Sequence, residues 1–220
     1  MDIIKPGNFG MNVPADARRM DYDFANEQVL YLKKHVDYLF IGDSITQLWN
    51  LGLYFDTDKV LVNRGIGGDC SKYLRKRFDA DCIQLKPETA VVMIGTNDIF
   101  RCDEDLWWRK DGEAEEVVLE EYKDNIRAIL EKCEKNHIEV ILCSVPPSTI
   151  APPYSRERRW RMTTEMNEFL QSLGKKYINY FDSLTEDGKN IIEGLSLDGI
   201  HPNAEAYEIM ASIAKKELNL

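Results

Sequence analysis

Five short apolar runs, separated by longer amphipathic stretches, constrain the fold of this chain more than any other feature. The runs are Tyr38–Gly42, Val60–Asn63, Thr89–Ile94, Glu139–Cys143 and Tyr177–Phe181. Short runs rich in Val and Ile are typical of strands that are buried on both faces of a parallel sheet. Their alternation with amphipathic stretches predicts an α/β fold, in which helices cover both faces of a parallel five-stranded sheet.

Apolar residues recur at helical spacing between these runs. Three long stripes are Ala25, Val29, Leu32 and Val36, then Tyr122 to Cys133, then Met162 to Leu173. Gly174 is a predicted stop for the third helix. A shorter helix is expected around Phe78, and a final helix over Asn203–Leu218. The stretches 100–116 and 145–160 are predicted loops at the carboxyl edge of the sheet, where ligands bind in open α/β folds.

The size and charge of the chain limit the classes of partner. Its 220 residues and 44% hydrophobic content predict a single domain, 1–220, in which 1–20 is an N-terminal extension. A net charge of −10 argues against nucleic acid and stable membrane association, since both favour basic surfaces. A small neutral substrate fits this charge best.

The cysteines and the N-terminus bear on the compartment. The chain has five cysteines and no C-x-x-C pair, so reduced thiols are expected. The N-terminus lacks a basic start followed by an apolar core, and no apolar run approaches the ~20 residues that span a bilayer. We therefore expect a cytoplasmic protein, and a secreted form stripped of its leader remains an alternative.

Clusters of glycine and polar residues follow the predicted strands. They are "GDS" at 42–44, "NRGIGG" at 63–68, "GTND" at 95–98 and "DGIHP" at 198–202. Because the carboxyl ends of parallel strands share one edge of a sheet, we expect these four clusters to lie close together.

The residue types in these clusters suit acyl transfer, which needs a nucleophile, a base, a group that orients the base, and oxyanion donors. Ser44 on a strand-to-helix turn is the candidate nucleophile, and His201 is the candidate base. Asp198, three residues earlier, can orient the imidazole. The candidate oxyanion donors are the N–H groups of Ser44 and Gly68 and the side-chain amide of Asn97. Gly67 is the alternative to Gly68.

The four clusters, in this order, resemble the SGNH hydrolases, also called GDSL esterases and lipases. The resemblance spans about Tyr38 to Tyr207. It implies a flavodoxin-like three-layer α/β/α sandwich and serine-dependent ester hydrolysis without a metal or other cofactor. Two details depart from the common pattern: Ile45 replaces the leucine of GDSL, and "NAEAY" lacks a glycine before its tyrosine.

The residues of the clusters resemble those in the branch of the family near sugar O-acetylesterases and platelet-activating-factor acetylhydrolases. That similarity implies a short acyl ester as substrate, with acetyl on a carbohydrate as the favoured case. Trp107, Trp108 and Tyr154, in the two predicted loops, are candidate substrate contacts. The tryptophans could equally form a hydrophobic plug. A lysophospholipase or thioesterase, and a non-catalytic carbohydrate-binding domain, are the alternative functions.

Several other residues have simpler interpretations. Ser44 taken alone could cap a helix. Asp43, Asn63 and Asp98 are expected to brace loops rather than react. Cys70 is expected to pack, although a nucleophilic role is conceivable. The cluster Arg156, Arg158, Arg159 and Arg161 is interpreted as a solvated helix face paired with acidic neighbours, in preference to an anion site.

Overall fold

The computed structural model describes residues 3–11, 13–103, 112–150 and 155–220. Five parallel strands form one sheet in the order β2-β1-β3-β4-β5. They are β1 (Tyr38–Gly42), β2 (Leu61–Gly65), β3 (Thr89–Met93), β4 (Glu139–Cys143) and β5 (Lys176–Ile178). Since β2 and β3 lie on opposite sides of β1, the strand order reverses at β1, and ligands bind at such a switch point. The predicted parallel five-stranded sheet is confirmed.

Helices lie on both faces of this sheet. The described helices are α1 (Arg19–Tyr31), α2 (Ser44–Leu48), α3 (Leu51–Tyr54), α4 (Ser71–Asp81), α5 (Thr96–Phe100), α6 (Glu115–Lys135), α7 (Arg156–Ser172) and α8 (Ala204–Leu218). Short 3₁₀ turns cover Pro14–Arg18 and Ile83–Leu85. The helix α7 begins earlier than the sequence predicted, because the Ser155 hydroxyl accepts a hydrogen bond from the Arg158 N–H and caps it.

Two apolar cores form because alternate strand residues point to opposite faces. Leu39 and Ile41 pack with α4, α6 and α7, whereas Phe40 packs with α2, α3 and α8. The same alternation holds along β3 and β4. The result is the predicted three-layer α/β/α sandwich, whose loops at the carboxyl edge of the sheet carry the glycine and polar clusters of the sequence.

The first helix is where the apolar periodicity was wrong. α1 ends at Tyr31, and Leu32 of the predicted stripe is 59% exposed. Its buried residues are Arg19, Tyr22 and Asn26. This helix packs mainly through hydrogen bonds, such as that from the Arg19 Nη1 to the Asp81 Oδ2 at 2.6 Å. The predicted stripe therefore runs past the end of the helix and misses its buried polar residues, although Val29 packs against the apolar core and Val36 is buried in it.

The structure also bears on the cysteines and on the search for a membrane-spanning helix. All five cysteines are buried and none forms a disulfide. Among the described residues, none of the helices combines the length and apolar character needed to cross a membrane.

Candidate active site

The turn after β1 presents Ser44. The strand ends at Gly42, and the Asp43 carboxylate accepts a hydrogen bond from the Ile45 N–H at 3.0 Å. Asp43 therefore caps α2, and Ser44 is the first residue of that helix. The capping alternative for Ser44 is wrong, because its hydroxyl is bonded to a histidine ring instead.

Asn63 braces this turn from the neighbouring strand, as expected. Its amide group donates to the carbonyl oxygens of Thr46 at 2.7 Å and Trp49 at 3.0 Å. Its side-chain oxygen accepts from the Gly65 N–H at 2.8 Å. One side chain thereby fixes the spacing between the ends of β1 and β2.

His201 connects Ser44 to Asp198. The His201 Nε2 lies 2.8 Å from the Ser44 Oγ, and its Nδ1 lies 2.5 Å from the Asp198 Oδ2. The other oxygen of Asp198 accepts from the backbone N–H groups of Ile200 at 2.9 Å and His201 at 2.8 Å. Partial burial opposes ionisation of Asp198, but the hydrogen bonds from the His201 ring and the two N–H groups outweigh it and lower the pKa to about 2. The carboxylate is therefore charged at neutral pH.

The loop that carries Asp198 and His201 is held from two sides. Gly199 has φ +81°, and a Cβ there would lie 2.2 Å from the Thr149 carbonyl oxygen, so a side chain would displace the loop. The Thr149 N–H donates to the Gly199 carbonyl at 2.7 Å. On the other side, the Tyr207 hydroxyl of α8 donates to the Ile45 carbonyl at 2.7 Å. These contacts tie the histidine loop to the serine turn.

Candidate oxyanion donors lie in the loops after β2 and β3. The Gly67 N–H donates to the Gln47 Oε1 at 2.6 Å, so that alternative donor is already engaged. The Gly68 N–H has no hydrogen-bond acceptor among the described residues, and its φ of +76° suits glycine. The Asn97 Nδ2 donates one hydrogen to the Asp69 carbonyl at 2.9 Å, which leaves its second amide hydrogen available.

A buried charge cluster, made of Arg19, Asp69, Arg77 and Asp81, lies beneath these loops. The Arg77 guanidinium donates to Asp69 at 2.7 Å and to Asp81 at 3.0 Å. It also donates to the carbonyl oxygens of Gly42 and Arg64, each at 2.9 Å. Arg77 thereby joins the ends of β1 and β2, although no motif marked it in the sequence.

Three buried carboxyl groups near the site have raised pKa values. Burial, strengthened by the charges of the other two, raises the pKa of Asp43 to about 7. Burial also raises the pKa of Asp69 to about 6 despite Arg77, and that of Asp98 to about 6 despite hydrogen bonds from Ser71. Asp98 accepts from the Ser71 hydroxyl at 2.6 Å, which is the bracing role expected of it.

A cavity of about 370 Å³ opens beside Gly68 and Asn97. Apolar side chains of the N-terminal residues line one side and polar or charged side chains line the other. The described residues that line it are Met11, Val13, Pro14, Gly68, Cys70, Lys72, Tyr73, Asn97, Arg101 and Glu113. Burial raises the pKa of the Cys70 thiol well above its usual range, which favours a packing role over a nucleophilic one.

The remaining predicted contacts divide into two groups. Trp107, Trp108 and Tyr154 lie outside the described residues. The arginine cluster at the start of α7 is described, and Arg158 and Arg161 pair with Glu115. The solvated-face interpretation is wrong for Arg159, which is 3% exposed, bonds Asp103 at 2.7 Å and lies 3.9 Å over the Phe100 ring.

The chain is similar to known proteins over most of its length. The model of the GDSL-like lipase/acylhydrolase family matches residues 40–209. An acetylxylan esterase of Geobacillus stearothermophilus is 26% identical over 164 residues, which are 72% of this chain and 71% of that protein.

Solved structures share the fold. A GDSL-like lipase from Bacteroides thetaiotaomicron superposes with a TM-score of 0.74 at 24% identity, covering 94% of this chain and 98% of that one. The acetylxylan esterase of Geobacillus stearothermophilus superposes with a TM-score of 0.65 at 21% identity, covering 84% and 94%.

Proposed function

Since the chain belongs to the GDSL-like lipase/acylhydrolase family and is a carboxylic ester hydrolase, we propose that it cleaves short acyl esters through an acyl-enzyme on Ser44. One observation carries this proposal. The His201 ring lies between two partners, with its Nε2 2.8 Å from the Ser44 Oγ and its Nδ1 2.5 Å from the Asp198 Oδ2. That arrangement supports a Ser-His-Asp triad.

In the first half-reaction the Ser44 Oγ attacks the ester carbonyl carbon while His201 Nε2 takes the hydroxyl proton. The tetrahedral intermediate then collapses, the bond to the alcohol oxygen breaks, and His201 returns the proton to that oxygen. In the second half-reaction His201 takes a proton from water, which attacks the acyl-Ser44 carbonyl. Collapse releases the carboxylic acid and returns the proton to Ser44.

Asp198 acts through His201. Its carboxylate accepts the Nδ1 proton, which leaves the Nε2 lone pair facing Ser44. Because the pKa of Asp198 is about 2, its negative charge is present to stabilise the imidazolium formed in each half-reaction.

The negative charge on the carbonyl oxygen needs donors that are already in position. We assign this role to the N–H groups of Ser44 and Gly68 and to the Asn97 amide, whose orientation is held by Asp69. A single donor of this kind typically contributes ~10²–10³ in kcat, so the three form a large part of the rate enhancement.

For the substrate we propose a small ester with a short acyl group, acetyl on a carbohydrate being favoured. The similarity to an acetylxylan esterase supports this class. The cavity beside Gly68 and Asn97 supports it too, since the Lys72 ammonium in its lining would be desolvated by a long alkyl chain.

Labelling with a fluorophosphonate, together with a series of p-nitrophenyl esters of rising acyl length, tests the proposal. We expect one label per chain on Ser44 and the highest kcat/KM on acetate. Ser44→Ala should lose the label and lower kcat by about 10⁴-fold or more, with an unchanged melting temperature. Ser172→Ala, at an exposed serine on α7, is the matched control and should keep both.

Two results would contradict the proposal in different ways. A preference for long acyl groups such as octanoyl would replace the acetyl assignment with a lysophospholipase or thioesterase. An unlabelled, inactive protein would remove the esterase mechanism and leave a carbohydrate-binding domain.

A further inference from the structure

The N-terminal residues, which no motif of the sequence covers, reach the proposed oxyanion donors. Pro14 lies so close to Gly68 that a Cβ on Gly68 would be 2.7 Å from the Pro14 Cβ. Met11 and Val13 line the same cavity as Gly68 and Asn97. We call the described residues 9–11 and 13–18 the N-terminal segment.

The N-terminal segment is fixed by its own hydrogen bonds. The Asp16 carboxylate accepts from the backbone N–H groups of Phe9 at 2.8 Å and Gly10 at 3.2 Å, which closes the segment into a loop. The Phe9 ring stacks on Tyr73 of α4 with ring centroids 6.2 Å apart. The segment is therefore held through Phe9 and Asp16, and the half-buried side chains of Val13 and Pro14 lie at the cavity, whereas Met11 is 94% exposed.

The cavity has two chemically different sides. The segment contributes the apolar side chains of Met11, Val13 and Pro14, whereas α4 and the chain after β3 contribute the polar ones. A sugar ring has the matching character, since its C–H face is apolar and its rim carries hydroxyl groups. Ligand sites of this kind usually combine apolar walls with a few polar groups that set orientation.

The size of the cavity indicates which part of the substrate it takes. Its volume of about 370 Å³ is far more than the methyl group of an acetyl ester fills. The Lys72 ammonium on its polar side disfavours a longer alkyl chain. A polyhydroxylated ring satisfies both conditions, and the neighbouring Gly68 and Asn97 would keep its ester carbonyl at the reacting centre.

We propose that the N-terminal segment forms the apolar wall of the acceptor subsite, with Val13 as the residue against which the sugar ring of the substrate packs. The inference rests on the proposed function of Ser44. In this proposal the N-terminal segment selects the sugar, and Ser44, His201 and Asp198 carry out the ester hydrolysis.

Val13→Trp tests this by filling the cavity, since the extended backbone at Val13 (φ −86°, ψ 118°) accepts a bulky residue. We expect kcat/KM for peracetylated xylose to fall by about tenfold or more, mainly through KM, because the indole occupies the space that the sugar ring would fill. Hydrolysis of ethyl acetate and fluorophosphonate labelling of Ser44 should stay within about twofold, because neither reagent places a ring in the acceptor subsite. Met20→Trp, at a residue on α1 that is 69% exposed, is the matched control and should change neither substrate.

A second variant guards against misfolding. Val13→Ser keeps the backbone and removes the apolar contact, so it should also raise KM for the sugar ester alone. An equal fall on both substrates, or no change on either in a folded variant, would overturn the inference while leaving the esterase intact. If the unmodified protein neither hydrolyses p-nitrophenyl acetate nor takes the label, the proposed function fails and the inference fails with it.

Discussion

Two groups of charged residues lie at the same edge of the sheet, and their surroundings are opposite. Asp198 and His201 are partly exposed, with 52% and 33% of their side chains accessible. Asp69, Arg77 and Asp81 of the buried charge cluster are fully inaccessible. His201 of the exposed pair contacts the candidate nucleophile Ser44. The buried cluster instead bonds structural groups, such as the carbonyl oxygens of Gly42 and Arg64.

The pKa values show what this difference means. Hydrogen bonds within its own turn overcome partial burial and hold the pKa of Asp198 at about 2, so it is ready to stabilise an imidazolium. Burial raises the pKa of Asp69 to about 6, even though its carboxylate bonds Arg77. The partly exposed Asp198 is therefore suited to stabilising a charged intermediate. The buried cluster holds the backbone in place, and burying its charged groups is unfavourable.

The largest expected effect is on the exposed pair. Asp198→Asn should lower kcat by about 10⁴-fold, because the amide favours the wrong imidazole tautomer. The melting temperature should fall only modestly, because the stabilising charge is lost but the amide oxygen can still accept from the Ile200 and His201 N–H groups. Asp182→Asn, at an exposed acid, serves as the control. A large fall in melting temperature would contradict the division of roles.

For the buried cluster we expect a smaller effect, and we expect it on the free energy of unfolding rather than on kcat. Arg77→Met leaves the buried Asp69 carboxylate without its guanidinium partner and removes one of the two guanidinium groups bonded to Asp81, so it should destabilise the fold by ~3–5 kcal/mol. Lys76→Met, on the exposed side of the same helix, should stay within about 0.5 kcal/mol. Urea unfolding measures both. Equal stability of the two variants would show that the cluster does not hold the strand ends.

The smallest effect is a difference in pH dependence. The folded pKa of Asp43, about 7, lies above its ordinary 3.8, so the folded state binds more protons between those values. Stability should therefore fall as pH rises from about 4 to about 7, and Asp43→Asn should flatten that part of the profile.

Asp198 has the opposite sign. Its folded pKa of about 2 is below its ordinary value, so its contribution is present above about pH 4 and is lost as pH falls toward 2. Unfolding free energies of the two Asn variants across pH test both signs. A profile of Asp43→Asn that parallels the unmodified protein would contradict the buried assignment.

The sequence predicted the elements whose stability comes from apolar burial. The bounds of β1 and β4 match the prediction, because both strands are apolar runs packed on both faces. The stripe of α6 was likewise correct, since Tyr122, Ile126 and Ile129 are buried. It was wrong for α1, whose buried face is polar and pairs with Asp81 and Arg64.

The candidate site shows the same division. Ser44 was indicated by its place after a strand and Asp198 and His201 by their residue types near the C-terminus, and the structure brings the three side chains together. Arg77 was missed because an arginine within an amphipathic helix normally faces solvent, and only the fold reveals its contacts with Gly42 and Arg64. The one available signal was Asp69, a charged residue directly after the glycines.

Asp198 bonds residues of the same short turn, which limits how far the site depends on the rest of the chain. Because the carboxylate and the imidazole lie within four consecutive residues and bond each other, their mutual position is set within this short turn. The separation between His201 and Ser44, residues 157 positions apart, depends on tertiary structure. The surface loops between those positions can therefore change in length only if the sheet, the hydrogen bond from Thr149 to Gly199 and the link from Tyr207 to the Ile45 carbonyl are kept.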